Sequence, residues 1–128
     1  DLRMSRGLGD VYKRQKYDYR YLTTKERSYT LHADGHDVST YISLLSNFCP
    51  NMPAKIIALV AAGIAYEVEK SDAEKPDVDV TESIAYYEVY NTAGEYLGYY
   101  YAEYDFTYDV EGGGTGSKTG NFETLTIL

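Results

Sequence analysis

The segment Pro53–Tyr66, P-A-K-I-I-A-L-V-A-A-G-I-A-Y, constrains this chain more than any other. From Ile56 to Tyr66 it carries no charged residue and no strongly polar one. At ~1.5 Å of rise per helical residue, the run covers about half a bilayer. A helix apolar on every side has to be buried. The partner this chain offers is a tyrosine-rich β-sheet of its own.

Just upstream, Val38, Tyr41, Ile42, Leu45 and Phe48 recur at three- and four-residue spacing, which predicts an amphipathic helix. Asp37 or Ser39 would cap it and Pro50 would stop it. Asn51-Met52-Pro53 then restarts a helix that runs to about Lys70, with Pro tolerated in its first turn. The two form a helical hairpin. Gly63 weakens the second helix, but with Ala58, Ala61, Ala62 and Ala65 it leaves a low surface for close packing.

Strand patterns flank the hairpin. Tyr17, Tyr19 and Tyr21 alternate with Asp18 and Arg20, and Tyr29 and Leu31 share a face of a second short strand, Ser28–His32. Thr23–Arg27 reads as a polar connector between them. Val78 and Val80 lead to a strand over Ile84–Tyr90, and Asn91–Glu95 reads as a hairpin turn with Gly94 at positive φ. Tyr96, Gly98, Tyr100, Ala102, Tyr104, Phe106, Tyr108 and Val110 then share one face, with Glu103, Asp105, Thr107 and Asp109 on the other. Glu111–Asn121 reads as a glycine-rich flexible loop, and Phe122–Leu128 as a final edge strand. The expected fold is α+β, a helical hairpin packed on one face of a Tyr-rich antiparallel β-sheet.

Residues 1–15 stand apart from this pattern. The run Ser5–Gln15, S-R-G-L-G-D-V-Y-K-R-Q, matches a sequencing-library adapter translated in frame, and is set aside as non-native. On that reading residues 16–128 are one small domain from a metagenomic fragment that could be cut at both ends. Whether it carried a signal peptide then stays open. Without the adapter's four basic and two acidic residues, eight basic and eighteen acidic residues remain, a net charge of −10 with His neutral. Such a balance speaks against a nucleic-acid partner and against a basic membrane-surface patch. Cys49 is the single cysteine, so no internal disulfide can form, and its place in Phe-Cys-Pro suits a small buried hydrophobe.

Motifs for chemistry are sparse. Gly112–Gly120, G-G-G-T-G-S-K-T-G, approaches a phosphate-binding loop, but Ser117 stands where glycine must precede the lysine, and a strand-like segment follows. No cofactor is expected. No metal site is expected either; the weak candidate ligands are His32, Asp34, His36 and Asp37, which an Asp-Gly turn and a helix cap explain as well. The acidic row Glu103, Asp105 and Asp109 reads as a solvated strand face rather than a calcium loop. No nucleophile–base arrangement can be named, so no catalytic residue is assigned. As a binding surface, Tyr87, Tyr99 and Tyr101 would serve only as a flat, solvent-facing platform for sugar rings.

The succession of a Tyr-containing strand, a short apolar helical hairpin and a Tyr-rich hairpin over Tyr29–Tyr108 resembles small exported bacteriocin-like proteins of Gram-positive bacteria. The resemblance rests on pattern and transfers no site residue. It implies a non-enzymatic exported protein that acts by binding at a cell envelope or membrane. Two alternatives accompany it: a carbohydrate-binding module using exposed tyrosines, and an intracellular acidic interaction or immunity-type protein steered to a basic target. An unpaired final strand would also allow a homodimer through its edge.

Overall fold

The computed structural model describes residues 17–33 and 35–128; the adapter reading of residues 1–15 and the candidate ligand Asp34 fall outside them. The elements follow in the order β1 (Tyr17–His32), α1 (Val38–Phe48), α2 (Ala54–Glu69), β2 (Asp77–Asn91), β3 (Tyr96–Val110) and β4 (Thr115–Thr124). The strands form one antiparallel sheet in the order β1-β2-β3-β4. The α+β fold with a helical pair read from the sequence is therefore the observed one. Residues 17–24, 85–103 and 121–127 make one compact unit, and 25–84, 104–120 and 128 make a second.

The second unit holds both helices, which pack against each other. Leu31, Tyr41, Leu45, Ile56, Val60, Ile64, Val68, Val78, Val80 and Phe106 are fully buried in it. On α2 the buried set also includes Ile57, Ala61 and Ala65. Each large apolar side chain contributes roughly 1.5–3 kcal/mol on burial, against about 1 kcal/mol lost to a glycine in mid-helix, so the core outweighs Gly63 easily. The helix is not buried all round, however. Leu59 and Tyr66 remain 51% and 60% exposed, with Ala58 and Ala62 between them on the same face. The apolar run thus reflects a covered face plus an exposed one on which Leu59 and Tyr66 flank small alanines.

Three strand expectations need correction. The simplest concerns the final strand, which ends at Thr124 and does not reach Leu128. Thr23–Arg27 is no connector: β1 runs unbroken through it, because Arg27 and Tyr29 continue the inward alternation that ends at buried Leu31. The glycine-rich segment is no loop either; only Glu111–Gly114 turns, and β4 begins at Thr115. Its glycines have a packing role. A Cβ on Gly116 would lie 2.6 Å from the Tyr108 ring, and one on Gly120 would lie 2.5 Å from the Tyr104 hydroxyl. Strand glycines of this kind mark a close approach by a neighbouring group. The aromatic row of β3 needs bare backbone beside it, and β4 supplies it.

Tyr108 is confined from a second side. A Cβ on Gly63 of α2 would collide with the Tyr108 hydroxyl and lie 3.0 Å from the ring carbon that bears it. Gly63→Ala, which in an exposed helix would stabilise by about 1 kcal/mol, should therefore destabilise this protein. Urea melts should show Gly63→Ala below the parent. In a Tyr108→Phe background, where the hydroxyl is gone, most of that deficit should be recovered; an equal deficit in both backgrounds would refute the contact.

Candidate functional site

In the unit of residues 17–24, 85–103 and 121–127, tyrosines occupy both faces of the sheet. Ala85, Tyr87, Val89 and Tyr101 form its core, with Tyr17, Tyr19 and Tyr99 packed against it. Tyr19 meets Tyr101 at 4.8 Å between ring centroids, and Tyr87 meets Tyr101 at 5.9 Å. Tyr87 and Tyr101 are only 5% and 6% exposed, and Tyr99 is half-buried. The flat solvent-facing platform expected of Tyr87, Tyr99 and Tyr101 is not formed, because the rings from β1 lie against that face. Glu103 is engaged there too, accepting a hydrogen bond from the Tyr87 hydroxyl at 3.2 Å.

The exposed tyrosines of this unit are Tyr21 and Tyr96. Asn91 donates to the Glu95 carbonyl at 2.9 Å, which sets Tyr90 opposite Tyr96 across the β2–β3 hairpin. Their centroids are 5.5 Å apart, and Tyr100 follows Tyr96 at 6.5 Å, each pair of rings tilted by about 50°. The Arg20 guanidinium caps the row 3.8 Å above the Tyr90 ring while its Nε bonds Asp18 at 3.0 Å. The Tyr90 hydroxyl donates to Glu88 at 3.1 Å, and Asn91 Nδ2 to Glu95 at 2.9 Å. Tyr96 is 45% exposed, and Tyr90 and Tyr100 are half-buried, as Tyr99 is. Arg20, Tyr90, Tyr96 and Tyr100 thus form a ladder of aromatic faces, edged by guanidinium, carboxylate and amide groups. The sequence hides it because strand alternation alone puts the whole even-numbered row of β3 on one face, with nothing to show that its two ends differ in burial. Gly98, at φ +85° within the strand, marks where exposed residues give way to buried ones.

The second unit contains Glu82, the one buried charged side chain of the described residues, at 4% exposure. It sits on β2 in the row Val78, Val80, Glu82, Ile84, where an apolar residue would fit the period. Its Oε1 accepts from Arg27 Nε at 2.6 Å, and its Oε2 from the Tyr29 hydroxyl at 2.9 Å and Cys49 Sγ at 3.1 Å. Arg27 Nη2 reaches on to the Phe48 carbonyl at 2.6 Å, placing a cation at the C-terminal end of α1 where the helix dipole is negative. The Glu82 hydrogen bond holds the Arg27 guanidinium above its ordinary pKa. Tyr29 and Phe48 stack at 4.3 Å and 7°. Burial pushes the Cys49 thiol up to about 11 and the Tyr29 hydroxyl well above its usual range. With its oxygens occupied by three donors, Glu82 is a structural anchor, and Cys49 is a protonated thiol.

Of the weak candidate metal ligands, the described ones, His32, His36 and Asp37, bond to different groups. His32 Nδ1 bonds Asp77 at 2.9 Å, His36 Nε2 lies 3.2 Å from the Glu74 carbonyl, and Asp37 accepts from Ser39 and Thr40 at the start of α1. Those two hydroxyls, Thr40 first, hold the Asp37 carboxyl below its usual range. Among the described residues no group of three His, Cys, Asp or Glu side chains could hold a metal ion. No protein-family model, curated protein or solved structure matches the chain.

Two predictions test the anchor. Breaking a buried pair costs about 3–5 kcal/mol when a desolvated charge is left behind, and much less when the survivor can hydrate. Arg27→Met strands Glu82, whereas Glu82→Gln strands Arg27, whose side chain is 48% exposed. Arg27→Met should therefore lose the more stability in denaturant melts, by about 2 kcal/mol over Glu82→Gln; the reverse order would refute the account. For Cys49, a folded-state pKa above the unfolded value means that the folded chain holds its proton longer. Its contribution is complete below about pH 8.5 and is lost as the pH climbs towards 11. The urea midpoint should thus fall less steeply over that window in Cys49→Ala than in the parent.

Proposed function

We propose that this protein is a non-enzymatic binding protein acting at a cell envelope, and that it engages glycan surfaces through Arg20, Tyr90, Tyr96 and Tyr100. The observation that carries the reading is the aromatic ladder on the β2–β3 hairpin, exposed at Tyr96 and half-buried at Tyr90 and Tyr100, with its rings 5.5 and 6.5 Å apart. Tyrosines provide large, rigid contact area at low entropic cost and keep a hydroxyl for hydrogen bonding. Arg20, Glu88, Asn91 and Glu95 supply donors and acceptors at its margin, the mixture that hydroxyl-rich ligands require. The acidic balance of the chain favours a ligand without dense negative charge. Export from the cell belongs to the same proposal, since an envelope glycan lies outside it. Among the described residues no helix is long and apolar enough to cross a membrane.

The test is retention on polysaccharides: sedimentation with insoluble peptidoglycan, chitin and cellulose, and affinity electrophoresis in soluble glucans. At least one should retain the parent chain. Tyr96→Ala and Tyr100→Ala should each weaken binding by about five- to thirtyfold, the usual cost of truncating an aromatic anchor. Tyr66→Ala on α2 serves as the control and should leave retention unchanged. Absence of retention on every polysaccharide, or equal loss in the control, would refute the proposal.

A further inference from the structure

A pocket of about 330 Å³ opens beside the Arg27–Glu82 pair, within the helical unit and apart from the tyrosine ladder. That volume lies at the small end of ligand-binding cavities. Phe48, Pro50, Met52, Ile84 and Leu128 give it apolar walls, and Lys25, Glu26, Arg27, Asn51 and Glu82 its polar positions. Its construction follows from the elements around it. Lys25 and Arg27 are two residues apart on β1 and so share a face. The chain from Phe48 to Met52 is the link between the helices, broken by Pro50, and it bends across the end of α1.

Lys25 and Arg27 are donors, Glu26 and Glu82 acceptors, and Asn51 can be either. Glu82 has both oxygens engaged by Arg27, Tyr29 and Cys49, and its charge is matched by the guanidinium. Arg27 spends Nε on Glu82 and Nη2 on Phe48 and Cys49; Nη1 takes no part in these contacts, and the side chain is 48% exposed. Among the described residues Lys25 makes no ion pair. Glu26 offsets its charge on the rim, but the Arg27 Nη1 group remains as a charged donor fixed in place by the contacts of Nε and Nη2. Such a donor is matched by a carboxylate. An apolar body beside it would meet Phe48, Met52, Ile84 and Leu128.

We propose that this pocket binds a small amphiphilic carboxylate, its acid group on Arg27 and Lys25 and its apolar body between Phe48, Met52 and Ile84. The site is distinct from the glycan surface and stands or falls separately. The probe is 4-phenylbutyrate, titrated into the full chain and followed by ¹H–¹⁵N correlation spectra, with 4-phenylbutanol as the uncharged counterpart. The acid should produce saturable shifts at Phe48, Asn51, Met52 and Ile84, with an affinity about tenfold above that of the alcohol. Lys25 is exposed, so Lys25→Met keeps the fold; it should weaken the acid by about three- to fivefold and leave the alcohol unchanged. Equal affinity for acid and alcohol, shifts confined to other residues, or no saturation by about 10 mM would overturn the proposal.

Discussion

A carboxylate removed from water is expensive, several kcal/mol even after relaxation, and this fold is arranged to meet that cost at Glu82. Arg27 comes from β1, Tyr29 from two residues further along the same face, and Cys49 from the end of α1. One side chain of β2 thereby sets the register of β1 against β2 and the position of the helix that follows. Slipping β1 by one residue would turn Arg27 and Tyr29 to the opposite face and leave Glu82 unpaired. Arg27 extends the arrangement by binding the Phe48 carbonyl, so the C-terminus of α1 is closed by the same cation that neutralises Glu82. An apolar residue at position 82 would pack without such demands, but it would not distinguish one register from another.

The opposite end of the same unit is organised by shape rather than charge. Tyr108 projects between Gly63 of α2 and Gly116 of β4, neither of which has room for a side chain there. Tyr104 lies against Gly120 in the same manner. Bulk on β3 is balanced by its absence on the elements beside it, the complementarity expected of a close-packed interior. This explains how an edge strand with β-disfavouring glycines remains ordered. The lost propensity is offset by burial of two tyrosine rings, which is worth more than the roughly 1 kcal/mol that a glycine costs.

Local signals in the sequence were read correctly where local chemistry decides the outcome. The three- and four-residue spacing of Val38–Phe48 located α1, the Met52–Pro53 restart located α2, and Asn91–Gly94 located the hairpin, whose Gly94 has φ +86°. Legibility failed where a distant group decides. Thr23–Arg27 looks like a connector until Arg27 is known to face Glu82, some fifty residues away. Gly112–Gly120 looks like a loop until the rings of Tyr104 and Tyr108 are in place. Alternation also gives the phase of a strand but not which phase is covered. With tyrosines on both faces of residues 96–101, it could not tell that Tyr101 is inside and Tyr96 outside. The sole available sign of the anchor was Glu82 itself, a carboxylate in an otherwise apolar row.

The same placement decides what the polar groups can do. A general base needs a free lone pair within reach of its substrate, and Glu82 directs its oxygens at Arg27, Tyr29 and Cys49. A nucleophilic cysteine needs a thiolate, and burial moves Cys49 the other way, to about 11. The chemistry concentrated at the centre of the helical unit is thus consumed in holding it together. What remains available lies at its margin and on the other unit: Nη1 of Arg27, and the faces of Tyr90, Tyr96 and Tyr100. Both proposed binding sites rest on these groups. Of these groups only Arg27 also belongs to the anchor, so the tyrosine ladder can be altered without removing a residue that holds Glu82.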